Sequence, residues 1–155
     1  MDKAAHAGRA PARDRGSFYG GERRSRSNET WDTLDDRLVT SLVAAVPRLK
    51  GLMVWEPAAG CGVMVDQLER SGVRVFGATD ITPRRDDIGQ LDIFGVTEML
   101  AGCAAIITNP PWGRLAAPFI RHCLKLARAR KAIVCMLVPL PWIAGRKIAD
   151  MTGRT

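Results

Sequence analysis

Val54-Trp55-Glu56-Pro57-Ala58-Ala59-Gly60-Cys61-Gly62 is the stretch on which the fold turns. An apolar run ends in an acid, and a Gly-x-Gly turn leads directly into the helical pattern of Val63 to Arg70. A short apolar run bounded in this way reads as a strand covered on both faces, followed by a helix that packs back on it. Gly60 and Gly62 leave the backbone bare, so that a ligand can approach closely. In an open parallel sheet, ligands bind outside the carboxyl ends of the strands, where this turn sits.

The same alternation extends in both directions. Upstream, from Thr30, Leu34, Leu38, Leu42, Val43 and Val46 recur at helical spacing until Pro47 stops them, which predicts a helix of about four turns. The first strand is Leu52 to Trp55, and the second is Val73 to Ala78. A weak third strand follows near Ile88 to Leu91, then a short helix over Val96 to Ala101. Ala104 to Thr108 reads as a strand, Ala116 to Arg130 as a long helix and Ala132 to Val138 as a fifth strand. Right-handed crossovers through the helices make this a doubly wound, mostly parallel α/β sheet, Rossmann-like in plan.

Three segments result. Residues 1–27 are rich in Arg, Ala, Gly and Ser without apolar periodicity, which predicts a disordered basic tail. Residues 28–140 form the α/β domain, and 141–155 an irregular tail containing Pro141 and Gly145. No apolar run approaches the roughly 20 residues that span a bilayer, and the basic amino terminus lacks an apolar signal core. A cytoplasmic protein with no membrane association is expected. Cys61, Cys103, Cys123 and Cys135 are scattered singly, so they read as reduced, mostly buried thiols and no metal site is expected. The net charge of +7 favours polyanionic partners, although the tail, with seven cations against three acids, holds more than half of it.

The turn selects against a dinucleotide. A pyrophosphate fingerprint is G-x-G-x-x-G, but the third glycine position is Val65, and Glu56 would repel phosphate. An acid there suits a cation, such as an ammonium or a sulfonium. Asp80 closes the second strand 18 residues after Gly62, where a carboxylate can accept both hydroxyls of a ribose. The competing reading of Asp80 is an acid on a solvated strand end.

Asn109-Pro110-Pro111-Trp112 follows the strand Ala104 to Thr108 without a gap. Two prolines stiffen the loop and remove two N–H donors, so it presents carbonyl oxygens. With the Asn109 side-chain oxygen, these can accept both hydrogens of a planar amino group and draw its nitrogen toward a nucleophilic geometry. Trp112 offers a flat face for base stacking, worth roughly 1–3 kcal/mol per base. A base inside a duplex would have to flip out to reach it. The competing reading is a rigid loop end with a tryptophan packed in the core.

With these residues in order, the chain resembles the class I S-adenosylmethionine-dependent methyltransferases, over approximately residues 28–140. Glu56 to Gly62 is similar to the family's first motif, and Asp80 to its second-strand acid. The resemblance implies S-adenosyl-L-methionine as cofactor, held by Glu56, Pro57, Ala58, Gly60 and Gly62 along its methionine part and by Asp80 and Ile81 at the ribose. Asp92 and Ile93, in Leu91-Asp92-Ile93-Phe94, look like the adenine-contacting third motif, with Asp86 and Asp87 as competing acids. The Asn-Pro-Pro-Trp tetrapeptide resembles the fourth motif of the amino-group methyltransferases, most like the small phage-type adenine enzymes. It implies that Asn109 and the Pro110 carbonyl bind the target amino group, Pro111 shapes the loop and Trp112 stacks on the target. The segment Asn28 to Leu34 is similar to an aromatic-x-Thr-Pro element of that group, with Leu34 in place of proline, and adds Trp31 and Thr33 as cofactor contacts.

The resemblance thus implies methylation of adenine, in DNA foremost, with RNA adenine and protein glutamine as the alternative acceptors. It also implies seven strands ending in an antiparallel hairpin, of which five are legible, so the carboxyl-terminal hairpin is expected to be lacking. The residues after Pro139 are too few for a helix and two strands of ordinary length. A truncated product, a chain completed by a partner or oligomer at the exposed sheet edge, and a minimal enzyme are the three expectations. A non-catalytic module that retains cofactor or nucleic-acid affinity is the rival from another functional class.

Overall fold

The computed structural model describes residues 35–144 and Ala149. The basic tail, Trp31, Thr33 and most of 145–155 lie outside the described residues.

Helix α1 (Asp36–Ala45) opens on Asp35, whose carboxylate accepts the Arg37 N–H, and turns Val39 and Val43 inward. Pro47 cannot continue it, and a single 3-10 turn, Pro47–Gly51, drops Leu49 into the core. Strand β1 (Met53–Glu56) follows, then α2 (Val63–Arg70), β2 (Arg74–Asp80) and β3 (Gly89–Gln90). β4 (Ala105–Thr108), α3 (Ala116–Arg130), β5 (Ile133–Met136) and α4 (Leu140–Ala144) complete the described chain.

The five strands form one sheet in the order β3-β2-β1-β4-β5, and every pairing is parallel. The architecture is therefore α/β and doubly wound, as the strand pattern predicts. Both faces are covered, which is why the strands read as unbroken apolar runs. Val54, Ala105 and Ile107 face α1 and α2 with Val39, Val43, Met64 and Leu68. Trp55 and Ile106 face the other way, with Phe119, Cys123 and Leu126 of α3. Trp55 is fully buried, and its indole N–H donates to the Thr79 hydroxyl at 2.9 Å.

Two expectations need correction. Val96 to Ala101 is not a helix: a 3-10 turn at Ile93–Gly95 precedes it, capped by Asp92. The segment instead packs on the sheet, burying Met99 and laying Leu100 over Gly77, where an added Cβ would collide with the leucine Cδ1. The region after Pro139 begins with α4 rather than irregular chain. Pro141 fits because a proline in the first turn gives up no helical hydrogen bond. Among the described residues no helix is long and apolar enough to cross a membrane.

Candidate functional site

The chain winds from β1 outward to β2 and β3, then returns to the other side of β1 for β4 and β5. That reversal opens a crevice at the strand tips, the place where sheets of this type take ligands. A cavity of about 360 Å³ lies there, lined among the described residues by groups from the tips of β2, β1 and β4. Its size falls within the roughly 300–1,000 Å³ of small-molecule sites.

The β1 tip contributes Pro57, Ala58 and Gly60. Gly60 has φ 55° and is tied twice: its N–H donates to Asp80 Oδ2 at 2.8 Å, and its carbonyl accepts the Arg84 N–H at 2.9 Å. Gly62 also has a left-handed backbone, φ 81°, but it is buried and does not line the cavity. The Arg85 guanidinium covers it and bridges Asp66 and Asp87, which hold that side chain firmly protonated. Gly62 therefore makes room for an arginine rather than for a ligand.

Asp80 lines the cavity from β2, and its two oxygens take the Gly60 and Thr82 N–H groups at 2.8 Å each. A carboxylate offers about four acceptor directions, so two remain for hydroxyl groups of a ligand. Ile81, 62% exposed, and Phe94, 44% exposed, present apolar faces on the same wall. Asp92 and the buried Ile93 share the lining, with Asp92 Oδ1 accepting the Phe94 N–H at 2.9 Å. An edge-on Phe119 and the His122 ring hold Phe94 in place, and His122 Nε2 lies 3.0 Å from the Val96 carbonyl oxygen.

β4 delivers Asn109, Pro110 and Pro111 to the lining, and Leu115 and Phe119 join them from the chain that follows. Trp112 does not line the cavity. Its indole N–H instead donates to the Asn109 side-chain oxygen at 3.3 Å, so the ring acts as a strut for the amide.

Glu56, expected against a cation, is buried and does not line the cavity. Its carboxyl is 1% exposed, with Oε1 on the Ala58 N–H at 3.0 Å. Oε2 and the nearby Thr108 hydroxyl are both buried and make no well-formed hydrogen bond. Burial pushes the Glu56 carboxyl up to about 8, against the pull of Thr108 and the Ala58 N–H. An unfolded glutamate titrates near about 4.3. The stability gained from the neutral form is therefore complete below that value and is lost as pH rises through about 8. Glu56→Gln, which keeps an acceptor for Ala58 and carries no charge, is expected to remove this slope. Its advantage over the native chain should grow from pH 5 to 9 and reach several kcal/mol, at about 1.4 kcal/mol per unit of pKa difference. Urea denaturation at pH 5, 7 and 9 checks it, and parallel curves would contradict the burial argument.

The cavity thus gathers Pro57, Ala58, Gly60, Asp80, Ile81, Asp92, Ile93, Asn109, Pro110 and Pro111, while Glu56, Gly62 and Trp112 do not line it. Thr82, Arg84, Leu115 and Phe119 join it without having been expected. Arg84 carried a usable signal, since it stands in the turn after the second-strand acid. Phe119 carried none, because it reads as an ordinary inward helical position. Among the described residues no group of three His, Cys, Asp or Glu side chains is arranged to hold a metal ion. Comparison with protein-family models, with curated proteins and with solved structures finds no match for this chain.

Proposed function

We propose that the chain is an S-adenosyl-L-methionine-dependent methyltransferase acting on an amino group, with adenine in a nucleic acid, DNA foremost, as the acceptor. One observation carries the reading: a single cavity joins Gly60 and Asp80 to Asn109 and Pro110. Neighbouring strands lie about 4.8 Å apart, so the β2 and β4 tips are separated by about 10 Å. That span suits a nucleoside bearing a short chain at one end and a planar nitrogen acceptor at the other.

The residues fit such a cofactor. The two unused acceptor directions of Asp80 suit ribose hydroxyls, and Ile81 and Phe94 suit the two faces of an aromatic ring, with Asp92 at its edge. Bare backbone at Gly60 suits the methionine arm. When bound, the cofactor supplies a methyl group activated on a sulfonium.

The protein's own part is positioning. The Trp112 N–H orients the Asn109 side-chain oxygen, which together with the Pro110 carbonyl accepts the two amino hydrogens. Pro111 and the exposed Leu115 form an apolar rim at the acceptor end. The described groups lining that end include no titratable side chain, so the proton displaced on methylation passes to solvent. Electrostatic orientation, not a strong base, is the chain's contribution.

The test incubates the full chain with methyl-labelled cofactor and unmethylated DNA, RNA or a glutamine peptide, then digests each to nucleosides or amino acids. Label in methyladenine from DNA is the expected result. Label only in RNA or glutamine moves the acceptor. No transfer in any arm, with S-adenosylhomocysteine still binding in calorimetry, identifies the non-catalytic module.

A further inference from the structure

Charge on the described residues is unevenly placed. Residues 116–131, α3 and its capping lysine, hold Arg121, Lys125, Arg128, Arg130 and Lys131 with no acid. The remainder of 35–144 holds eight cations against ten acids. All five α3 cations are exposed, and Arg121, Lys125 and Arg128 line a concavity of about 450 Å³ on the helix's outer side.

Helix electrostatics account for only part of this. Cations in a last turn complement the helix dipole, which covers Arg128, Arg130 and Lys131, and Arg130 also has Glu98 at 3.6 Å. Arg121 and Lys125 stand earlier in the helix and have no acid three or four positions away. Instead Arg121, Lys125 and Arg128 follow one another at spacings of four and three, an arrangement that destabilises a helix by about 0.2–0.5 kcal/mol per like-charged pair. A polyanion laid along the stripe would relieve that repulsion. The stripe covers about 10 Å of helix, at 1.5 Å per residue. It begins two residues after Phe119, which lines the cavity.

We propose that the outer face of α3 is a docking surface for the sugar–phosphate backbone of a nucleic acid strand, with Arg121, Lys125 and Arg128 as its contacts. A membrane fits poorly. The apolar residues Phe119, Ile120, Cys123, Leu126 and Ala127 of α3 are turned into the protein, and the half-buried Leu124, which shares the concavity with the cations, is the one large apolar side chain left on that face, too little to insert between lipids. An acidic protein surface fits poorly too, since protein interfaces centre on buried apolar or aromatic anchors, and none of the exposed large hydrophobic residues lies on α3. Backbone phosphates ask only for cations in a row. As the means of holding a polymeric acceptor, the surface rests on the function proposed above. Binding is measured without cofactor, so either statement can fail alone.

The experiment is fluorescence anisotropy of the full chain with a fluorescein-labelled oligonucleotide of 20 or so bases, single-stranded and as its duplex, between 50 and 200 mM KCl. Arg121→Glu combined with Lys125→Glu is expected to weaken binding at least about tenfold and to flatten the salt dependence by roughly 1.5–2 in log–log slope. Arg70→Glu combined with Arg74→Glu, the same charge change at the opposite end of the sheet, is expected to shift affinity less than about threefold. Circular dichroism melting and calorimetry with S-adenosylhomocysteine should match the native chain for both variants. A native slope in the α3 variant, an equal loss in the control variant, or no oligonucleotide binding by the native chain would each overturn the proposal. So would equally tight, α3-dependent binding of polyglutamate or of phosphatidylserine vesicles.

Discussion

Asn109→Ala is expected to lower methyl transfer at least about 100-fold while leaving S-adenosylhomocysteine affinity within about twofold. The magnitude is that of removing one preorganised polar group from a site that works by electrostatic orientation, roughly 100- to 1,000-fold. The separation of effects follows from position. Asn109 lines the β4 end of the cavity, whereas the ribose and ring contacts proposed for the cofactor belong to β2 and the turn after β3. Losing the amide also leaves the Trp112 N–H without this acceptor, at a cost to folding near about 1 kcal/mol. Single-turnover transfer and calorimetry on the same preparation check both halves. Equal loss of transfer and binding would show that Asn109 holds the cofactor rather than the acceptor.

Asp80→Ala is expected to have the larger effect on binding, weakening S-adenosylhomocysteine at least about 100-fold. Two causes add. The ribose acceptors disappear, and the N–H groups of Gly60 and Thr82 lose the carboxylate that holds both turns. Hydrogen bonds to a charged group are worth about 1.5–3 kcal/mol each, so the domain itself should lose roughly 3 kcal/mol or more. Asp80→Asn, with one acceptor oxygen left, should recover part of the stability and little of the affinity. Denaturant titration and calorimetry separate the two. Lower stability with unchanged affinity would make Asp80 a strut between turns and remove it from the ligand.

Two side chains show how a residue's type is legible in the chain while its setting is not. Trp112 reads as a stacking platform because an exposed indole after a rigid loop suits a base. In the fold its N–H lies against Asn109, and the ring is a brace for the amide. Glu56 reads as a charge for a cationic ligand because it ends a strand beside a glycine turn. There the carboxyl points under Ala58 and is buried, and desolvation holds it largely neutral at pH 7. Both differences come from rotamer and depth, which neighbouring strands impose. Spacing along the chain carries neither.

The parallel order of the elements was written in the chain alone. Unbroken apolar runs such as Ala105–Thr108 require cover on both faces, and helical segments between them require crossovers. The glycine turn at 60–62, the acid at 80 and the proline pair at 110–111 were legible for the same reason: each is a local backbone requirement or a strand end. Tertiary structure decided what distance along the chain conceals. It set Leu100 over Gly77 where a helix was expected, covered Gly62 with Arg85, and brought Phe119 to the cavity from within a helix. Those outcomes depend on which surfaces compete for the same volume, and close packing settles that only when all the elements are in place.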